Sequence, residues 1–404
     1  MKKLLAFFAV LALVVPLAFT VDFSIGGRAL GVAEAVLGNT EKGVGDNGNE
    51  PWTRWTDDIR VLFSLTNDNK SAGAAFRLTG KVWGTVNANW FQAWWQPASL
   101  FYFSLGKIQE NRRYNPEPAK LGWGLAGRND AFDMKCTQFA PWDTYQGIGP
   151  HNDNIYAELK AASDRVGMQF SVIPMENLHF TFVWNGFDDI QTYNPSRTSV
   201  KNVLIDGLGV NASYTTDAGG EASVFFQNGA IIGEGSSKRT RRQIGLMYTQ
   251  QVLNPLYAEG AVLLPLPDNN NSKITFIGAG IGLGYLHSEI EINARVAAEI
   301  GLVKAKYNAA GNLVSGHGTK IGFDLSPSWT LNWSLKIYFP VGFAVDIDAN
   351  TFGWSFCPYI VKDAGWVSFW TGFRLWSDNS SALRKSDGNP SVSYAIPIGL
   401  MLSF

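Results

Sequence analysis

Between Ser288 and Leu302 the residues Glu289, Glu291, Asn293, Arg295 and Glu299 occupy alternate positions, and Ile290, Ile292, Ala294, Val296, Ala298, Ile300 and Leu302 fill the places between them. That spacing sets the charges on one face of a β-strand and apolar groups on the other. Carboxylates and a guanidinium in such a row form a wetted wall with an electric field, not a proton relay. Lys336 and Asp346 stand the same way in Trp329–Ile347, where Trp329, Leu331, Trp333, Leu335, Ile337, Phe339, Val341, Phe343, Val345 and Ile347 share the other face. Arg60, Arg77, Lys81, Glu158 and Lys160 complete the set expected to line an aqueous interior. Patterns that carry catalysis are missing. The four histidines, His151, His179, His287 and His317, lack the His-Glu-x-x-His spacing of a metal site, and no Gly-x-Ser-x-Gly elbow occurs. Neither a metal nor another cofactor is expected, and no enzymatic activity. The run Gly278-Ala279-Gly280-Ile281-Gly282-Leu283-Gly284 superficially suggests a phosphate loop, but its alternation makes it a strand whose inner face is bare.

These rows need strands to hold them, and alternation with turn residues recurs along the whole chain while helical periodicity is almost absent. The spacing predicts eighteen strands, with sixteen as the alternative; the weak point is the segment 153–172, where a turn at Ser163-Asp164-Arg165 would split the strand in two and force a merger elsewhere. Two of the eighteen are expected at 318–326 and 329–347. The N-terminus reads as a secretory leader: Met1-Lys2-Lys3, an apolar run from Leu4 to Phe19, then small residues at Ala18 and Thr20, with cleavage expected after Thr20. Residues 1–20 are thus assigned to a signal peptide and 21–404 to one body. No later stretch offers the apolar length of a membrane helix. A formal net charge of -1 predicts no nucleic-acid partner. The fold class is all-β: a closed antiparallel transmembrane β-barrel, whose single-faced strands also explain the moderate 46% hydrophobic content.

The last fourteen residues sharpen this. Val392, Tyr394, Ile396, Ile398, Leu400, Leu402 and Phe404 alternate with Ser391, Ser393, Ala395, Pro397, Gly399, Met401 and Ser403. This resembles the C-terminal closing strand of outer-membrane barrels, whose terminal aromatic is read by the barrel-assembly machinery. The segment Trp90-Phe91-Gln92-Ala93-Trp94-Trp95-Gln96-Pro97-Ala98-Ser99-Leu100-Phe101-Tyr102-Phe103-Ser104-Leu105-Gly106-Lys107 is similar to the porin hairpin that precedes a long third loop. The resemblance is one of layout over the mature chain and covers both the general diffusion porins and the sugar-selective ones. It implies an outer-membrane location, with the lipid bilayer and the assembly machinery as partners, small hydrophilic solutes as cargo, and a homotrimer.

The connection at 109–152 is the longest, and its many rings argue for an ordered segment. Folded into the lumen it sets a constriction from Glu110, Arg112, Arg113, Arg128, Asp130 and Asp133; as an extracellular cap it merely covers the mouth. In sugar-selective porins an aromatic track carries pyranose rings, and Trp366, Trp370, Arg374 and Trp376 share one face of their strand as such a track requires. The competing reading places Trp366 and Trp376 in the interfacial girdle. Cys136 and Cys357, exported together, are either a disulfide pinning the loop to the wall or two isolated thiols. The expected function is passive diffusion of small hydrophilic solutes, with weak ion selectivity from mixed lumen charges. The alternative is a non-conducting, loop-plugged surface barrel acting as an adhesin or structural protein. A carrier of hydrophobic substrates is disfavoured by the charged inner faces.

Overall fold

The structure, a computed structural model, describes residues 21–40, 43–44, 55–80, 84–107, 166–185, 208–232, 239–253, 255–267, 273–274, 276–304, 306–307, 313–316, 318–332, 334–348, 351–378 and 391–404. Regular structure among them is entirely β. The wall consists of β1 (Val21–Asn39), β2 (Trp55–Asn67), β3 (Ala72–Gly80), β4 (Asn87–Ala98), β5 (Phe101–Lys107), β6 (Val166–Met175), β7 (Leu178–Asn185), β8 (Leu208–Thr215), β9 (Glu221–Ile232), β10 (Arg239–Leu253), β11 (Leu256–Leu266), β12 (Phe276–His287), β13 (Ile290–Gly301), β14 (Lys320–Leu331), β15 (Leu335–Tyr338 and Val341–Asp346), β16 (Thr351–Phe356 and Tyr359–Asp363), β17 (Val367–Gly372 and Arg374–Asp378) and β18 (Ser391–Ser403). Each pairs antiparallel with the next, and β18 returns to β1 from Arg28↔Ser403 to Asn39↔Ser393. The result is a closed barrel of 18 strands. The larger of the two expected strand counts therefore holds.

Closure is what an apolar surrounding demands, since every backbone N–H and C=O at that depth has to be paired within the protein. At the seam the ladder runs to the end of the chain: the Gly27 N–H donates to the Phe404 carbonyl at 2.8 Å and the Phe404 N–H returns the bond at 3.1 Å. Outward positions alternate along every strand, as with Ile281 and Leu283 of β12 or Ile398 and Leu400 of β18, all exposed. Inward positions on the same strands are buried from Phe276 to Gly284 and from Ser391 to Gly399.

The two rims differ. Eight connections on the rim that also carries Val21 and Phe404 are tight, for example Asn67 to Ala72, Met175 to Leu178 and His287 to Ile290. At Thr216–Gly220 the turn is tied by Gly219 N–H to the Thr216 carbonyl at 2.8 Å and Gly220 N–H to Thr216 Oγ1 at 2.9 Å, with Gly219 at φ 77, a conformation that suits glycine. The opposite rim carries the long connections, the longest between Lys107 and Val166.

The expected strand 329–347 is corrected. Leu331 pairs with Leu335 across a turn at 332–334, where Ser334 has φ 58, so Trp329 to Leu331 ends β14 and β15 starts at Leu335. A three-residue turn returns the chain with its parity unchanged, so odd positions stay outward through the reversal and the alternation runs on as if one strand continued. The ladder of β15 to β17 also breaks beside Pro340, Pro358 and Phe373, without any slip: Tyr338↔Tyr359 and Val341↔Phe356 flank the first break in one register. Proline lacks the donor for its own rung. Its carbonyl still serves, accepting from Cys357 at Pro340 (3.1 Å) and from Phe373 at Pro358 (2.8 Å).

Large side chains lie across glycines on the neighbouring strand. On the outer face a Cβ at Gly38 would meet the Tyr394 ring at 2.6 Å, and one at Gly27 would meet Phe404 Cζ at 2.6 Å. On the inner face the Trp370 indole occupies the place of a Gly399 side chain, and Tyr359 crowds Gly372. Such pairs pin register, because a slip of one residue would set the ring against a side chain. Gly399→Leu is expected to cost about 3 kcal/mol through overpacking, read as a lower urea midpoint of the detergent-folded protein, while Gly260→Ala, where the added carbon has no atom nearer than 3.8 Å, leaves the midpoint in place. Equal midpoints for the two variants would contradict this account of the register.

Candidate functional site

The inner wall is the one surface whose chemistry varies around the barrel, and it divides into sectors. On β1 to β3 the inner positions bring Arg28 directly opposite Arg60, with Arg77 opposite Leu62 one step along. All three arginines are partly open to solvent, and Leu62 is 39% exposed. Like charges opposite one another disfavour the pairing unless their surroundings compensate, and each of these arginines has interaction partners.

The next sector, β4 to β8, is neutral. Gln92, Ser104, Gln169, Ser171, Thr181, Asn211 and Ser213 face inward and are buried. Cross-strand pairing places Ser104 beside Gln169, Ser171 beside Thr181, and Thr181 beside Asn211. Ser171 Oγ and Thr181 Oγ1 lie 2.9 Å apart, and Gln169 Nε2 donates to Ser171 Oγ at 3.2 Å. Short hydroxyl and amide side chains let the strand backbones be approached closely, and hydrogen bonding among them offsets the cost of taking them out of water.

Acids mark β9 to β13: Glu221, Glu259 and Glu291 all take inner positions. The Glu259 side chain lies over Gly282, whose Cβ would come within 2.6 Å of Oε1. At Gly282, therefore, the inner face of β12 is filled from the neighbouring strand. Glu291 accepts from Asn293 Nδ2 at 3.0 Å and pairs with Lys336 Nζ at 2.7 Å. Because β2 and β11 stand half a circumference apart, the arginines and these acids face each other across the lumen.

The last sector, β15 to β18, is aromatic, and from β16 onward its inner face is largely closed to water. Tyr338 and Tyr359 stack at 4.3 Å and 8°, with Lys336 Nζ 4.8 Å from the Tyr338 ring centre. Trp370 is 0% exposed, and Trp376 and Arg374 are the other largest fully buried side chains. Ser391, Ser393, Ala395 and Gly399 of β18 are small where these groups need room. At Cys357 the wall holds a buried, disulfide-bonded cysteine, 1% exposed.

Among the residues singled out from sequence, Arg60, Arg77, Glu291 and Lys336 take inner-wall positions, and the last two form an ion pair that sequence alone did not suggest. Arg295, Glu299 and Asp346 fall at inner register positions, opposite Asp324, Lys320 and Lys320 respectively. Glu289 is corrected: it sits in the tight turn between β12 and β13, exposed, since that turn takes Ser288 and Glu289 out of the ladder. Trp366 is also placed off the inner wall, 67% exposed at the tight-turn rim, where its carbonyl accepts from the Ser403 N–H. Trp370, Arg374 and Trp376 do share the inner face, buried together, so their rings offer no open stacking face. Lys81, Glu110, Arg112, Arg113, Arg128, Asp130, Asp133, Cys136, Glu158 and Lys160 lie outside the described residues. Sequence reasoning missed Arg28, masked by the glycines before it, and the whole neutral sector, because serines and glutamines carry no charge to flag them. Among the described residues no three His, Cys, Asp or Glu side chains stand together as a metal site.

The Lys336–Glu291 pair is partly exposed, 27% and 36% at its side chains, so Lys336→Met is expected to shift stability by no more than about 1 kcal/mol. Tyr359→Ala, which empties a buried stacked position, is expected to cost about 3 kcal/mol or more. Urea titration of both variants checks the order; a larger loss from Lys336→Met would overturn it.

No protein-family model matches the chain, and no curated protein matches it in sequence. Solved structures do match its shape. The anion-selective porin from Comamonas acidovorans aligns over 95% of this chain and 100% of its own with a TM-score of 0.51 at 10% identity. The outer membrane channel DcaP of Acinetobacter baumannii aligns over 95% and 97% with a TM-score of 0.51 at 11% identity. With its closed barrel of 18 strands, the chain has the fold of the porin barrels.

Proposed function

We propose that this protein is an outer-membrane porin that lets small hydrophilic solutes diffuse passively through a water-filled barrel. The observation that carries the reading is the closed ring of 18 strands with apolar groups outside and polar or charged groups inside. A ring of that size is wide enough for an aqueous channel, and a lining of both charge signs suits solvated cargo. In this reading residues 1–20 are a leader cleaved after Thr20, the assembly machinery recognises the β18 strand with its terminal Phe404, and three copies associate. The reading assigns no catalysis.

A second reading, the non-conducting surface barrel, has one observation in its favour: the inner faces of β5 to β8 and of β16 to β18 are buried at mid-height. Water-filled space beside them is therefore narrower than the ring alone would leave. Liposome swelling separates the two readings. Reconstituted protein is expected to admit neutral sugars at rates that fall steeply with their size; liposomes that stay as tight as protein-free ones would favour the plugged barrel.

The chain has two cysteines, and we read Cys357 as bonded to Cys136, which ties the connection between β5 and β6 to the wall of β16. Peptide mapping without reductant is expected to recover a fragment linking the two positions. Alkylation of Cys136 in the unreduced protein would refute the pairing.

A further inference from the structure

Burial of the inner wall is uneven, and the unevenness locates a path. Ser104, Gln169, Ser171 and Thr181 on one side, and Ser355, Trp370, Arg374 and Ser393 on another, are all but removed from solvent. On β1 to β3 most inner side chains stay open: Arg28, Arg60, Ser64 and Arg77 are partly exposed and Leu62 more so, while the small Ala75 is buried. An apolar side chain facing a lumen at mid-barrel keeps 39% exposure only where water stands against it. We infer that the aqueous path is eccentric, running along β1 to β3, and that Arg28, Arg60 and Arg77 form a subsite there for the anionic group of a passing solute, such as a carboxylate. This rests on the porin reading and deepens it, replacing weak selectivity by a preference for anions.

The geometry suits the task. Directly opposite residues on paired strands have Cβ atoms about 5 Å apart, and diagonal ones about 7 to 8 Å, so three guanidinium groups converge on one stretch of wall. Planar guanidinium forks match carboxylate oxygens and remain charged at any working pH. The acids at inner positions of these strands lie along the wall, Asp22 toward the tight-turn rim, with Asp58 opposite Leu30 and Glu34 toward the other rim. Asp58 is the nearest of them in register. Opposite, the inner positions of β9 to β13 carry Glu221, Glu259 and Glu291 with Arg295 among them, a wall of mixed sign without the clustered cations of β1 to β3. Net charge of the chain is close to zero, so the preference comes from which wall the water touches.

Thiol chemistry tests this on the folded barrel, with its native cysteine pair left oxidised and folding checked by heat-modifiable gel mobility. Leu62→Cys and Ser64→Cys are expected to react with water-borne thiosulfonates, and faster with an anionic reagent than with a cationic one of similar size. Thr181→Cys and Ser355→Cys are expected to stay unreacted. In planar bilayers under a potassium chloride gradient, the reversal potential is expected to show chloride preferred over potassium, with the preference lost in the Arg60→Gln, Arg77→Gln double variant. Equal labelling at the four positions would overturn the eccentric path, and equal rates for the two reagents or an unchanged reversal potential would overturn the anion subsite. Intact labelling contrast and reagent preference in a barrel that carries no current would uphold the inference about the wall while removing the porin reading.

Discussion

The structure depends on one constraint: a strand surrounded by lipid has to pair on both edges. A sheet with a free edge would leave a row of backbone donors and acceptors without partners where water cannot reach, at a cost of several kcal/mol each. Everything else follows from the bond between the ends of the chain. Once β18 lies against β1, with Gly27 and Phe404 exchanging backbone hydrogen bonds at the seam, the number of strands, their alternating faces and the placing of tight turns on one rim are tied together. Gly27 and Gly38 are small where the seam needs the Phe404 and Tyr394 rings to lie flat. The closing contact is thus a backbone ladder backed at two places by aromatic groups.

Inside, the same strand geometry distributes chemistry by sector. Direction around the ring is given by strand number, and height by register, so a residue's place on the inner wall follows from its position in the sequence once the pairing is known. Arginines on β1 to β3 and acids on β9 to β13 fall half a turn apart. Between them lie two sectors that exclude water, one of small hydroxyl and amide groups and one of stacked rings, both built where neighbouring strands supply glycine or serine. The buried tryptophans of β17 owe their places to Gly399 and to the serines of β18.

Strand positions were legible because alternation is a strong signal in a wall with lipid on one side and polar space on the other. Among the described residues the expected alternation recurs, including the last strand, where burial alternates from Ser391 to Gly399 as the pattern required. The turn at 332–334 was hidden by its own parity, which kept Trp329 and Leu335 on one face through a reversal of direction. What sequence could not supply was distance between strands. Lys336 and Glu291 are 45 residues apart and meet only through the β13–β14–β15 ladders. Burial inside the lumen was equally illegible, since a face pattern tells which side a tryptophan takes and not what covers it. That is why Trp370 was placed on the correct face and given a role that needs an open ring.

The central claim is that a closed ring of 18 strands encloses a continuous path for water. Single-channel recording of the detergent-folded protein in a planar bilayer tests it most directly. The account predicts steady current steps of uniform size that grow in proportion to salt concentration; a silent membrane, with protein shown to be inserted and folded by its heat-modifiable mobility, would contradict it.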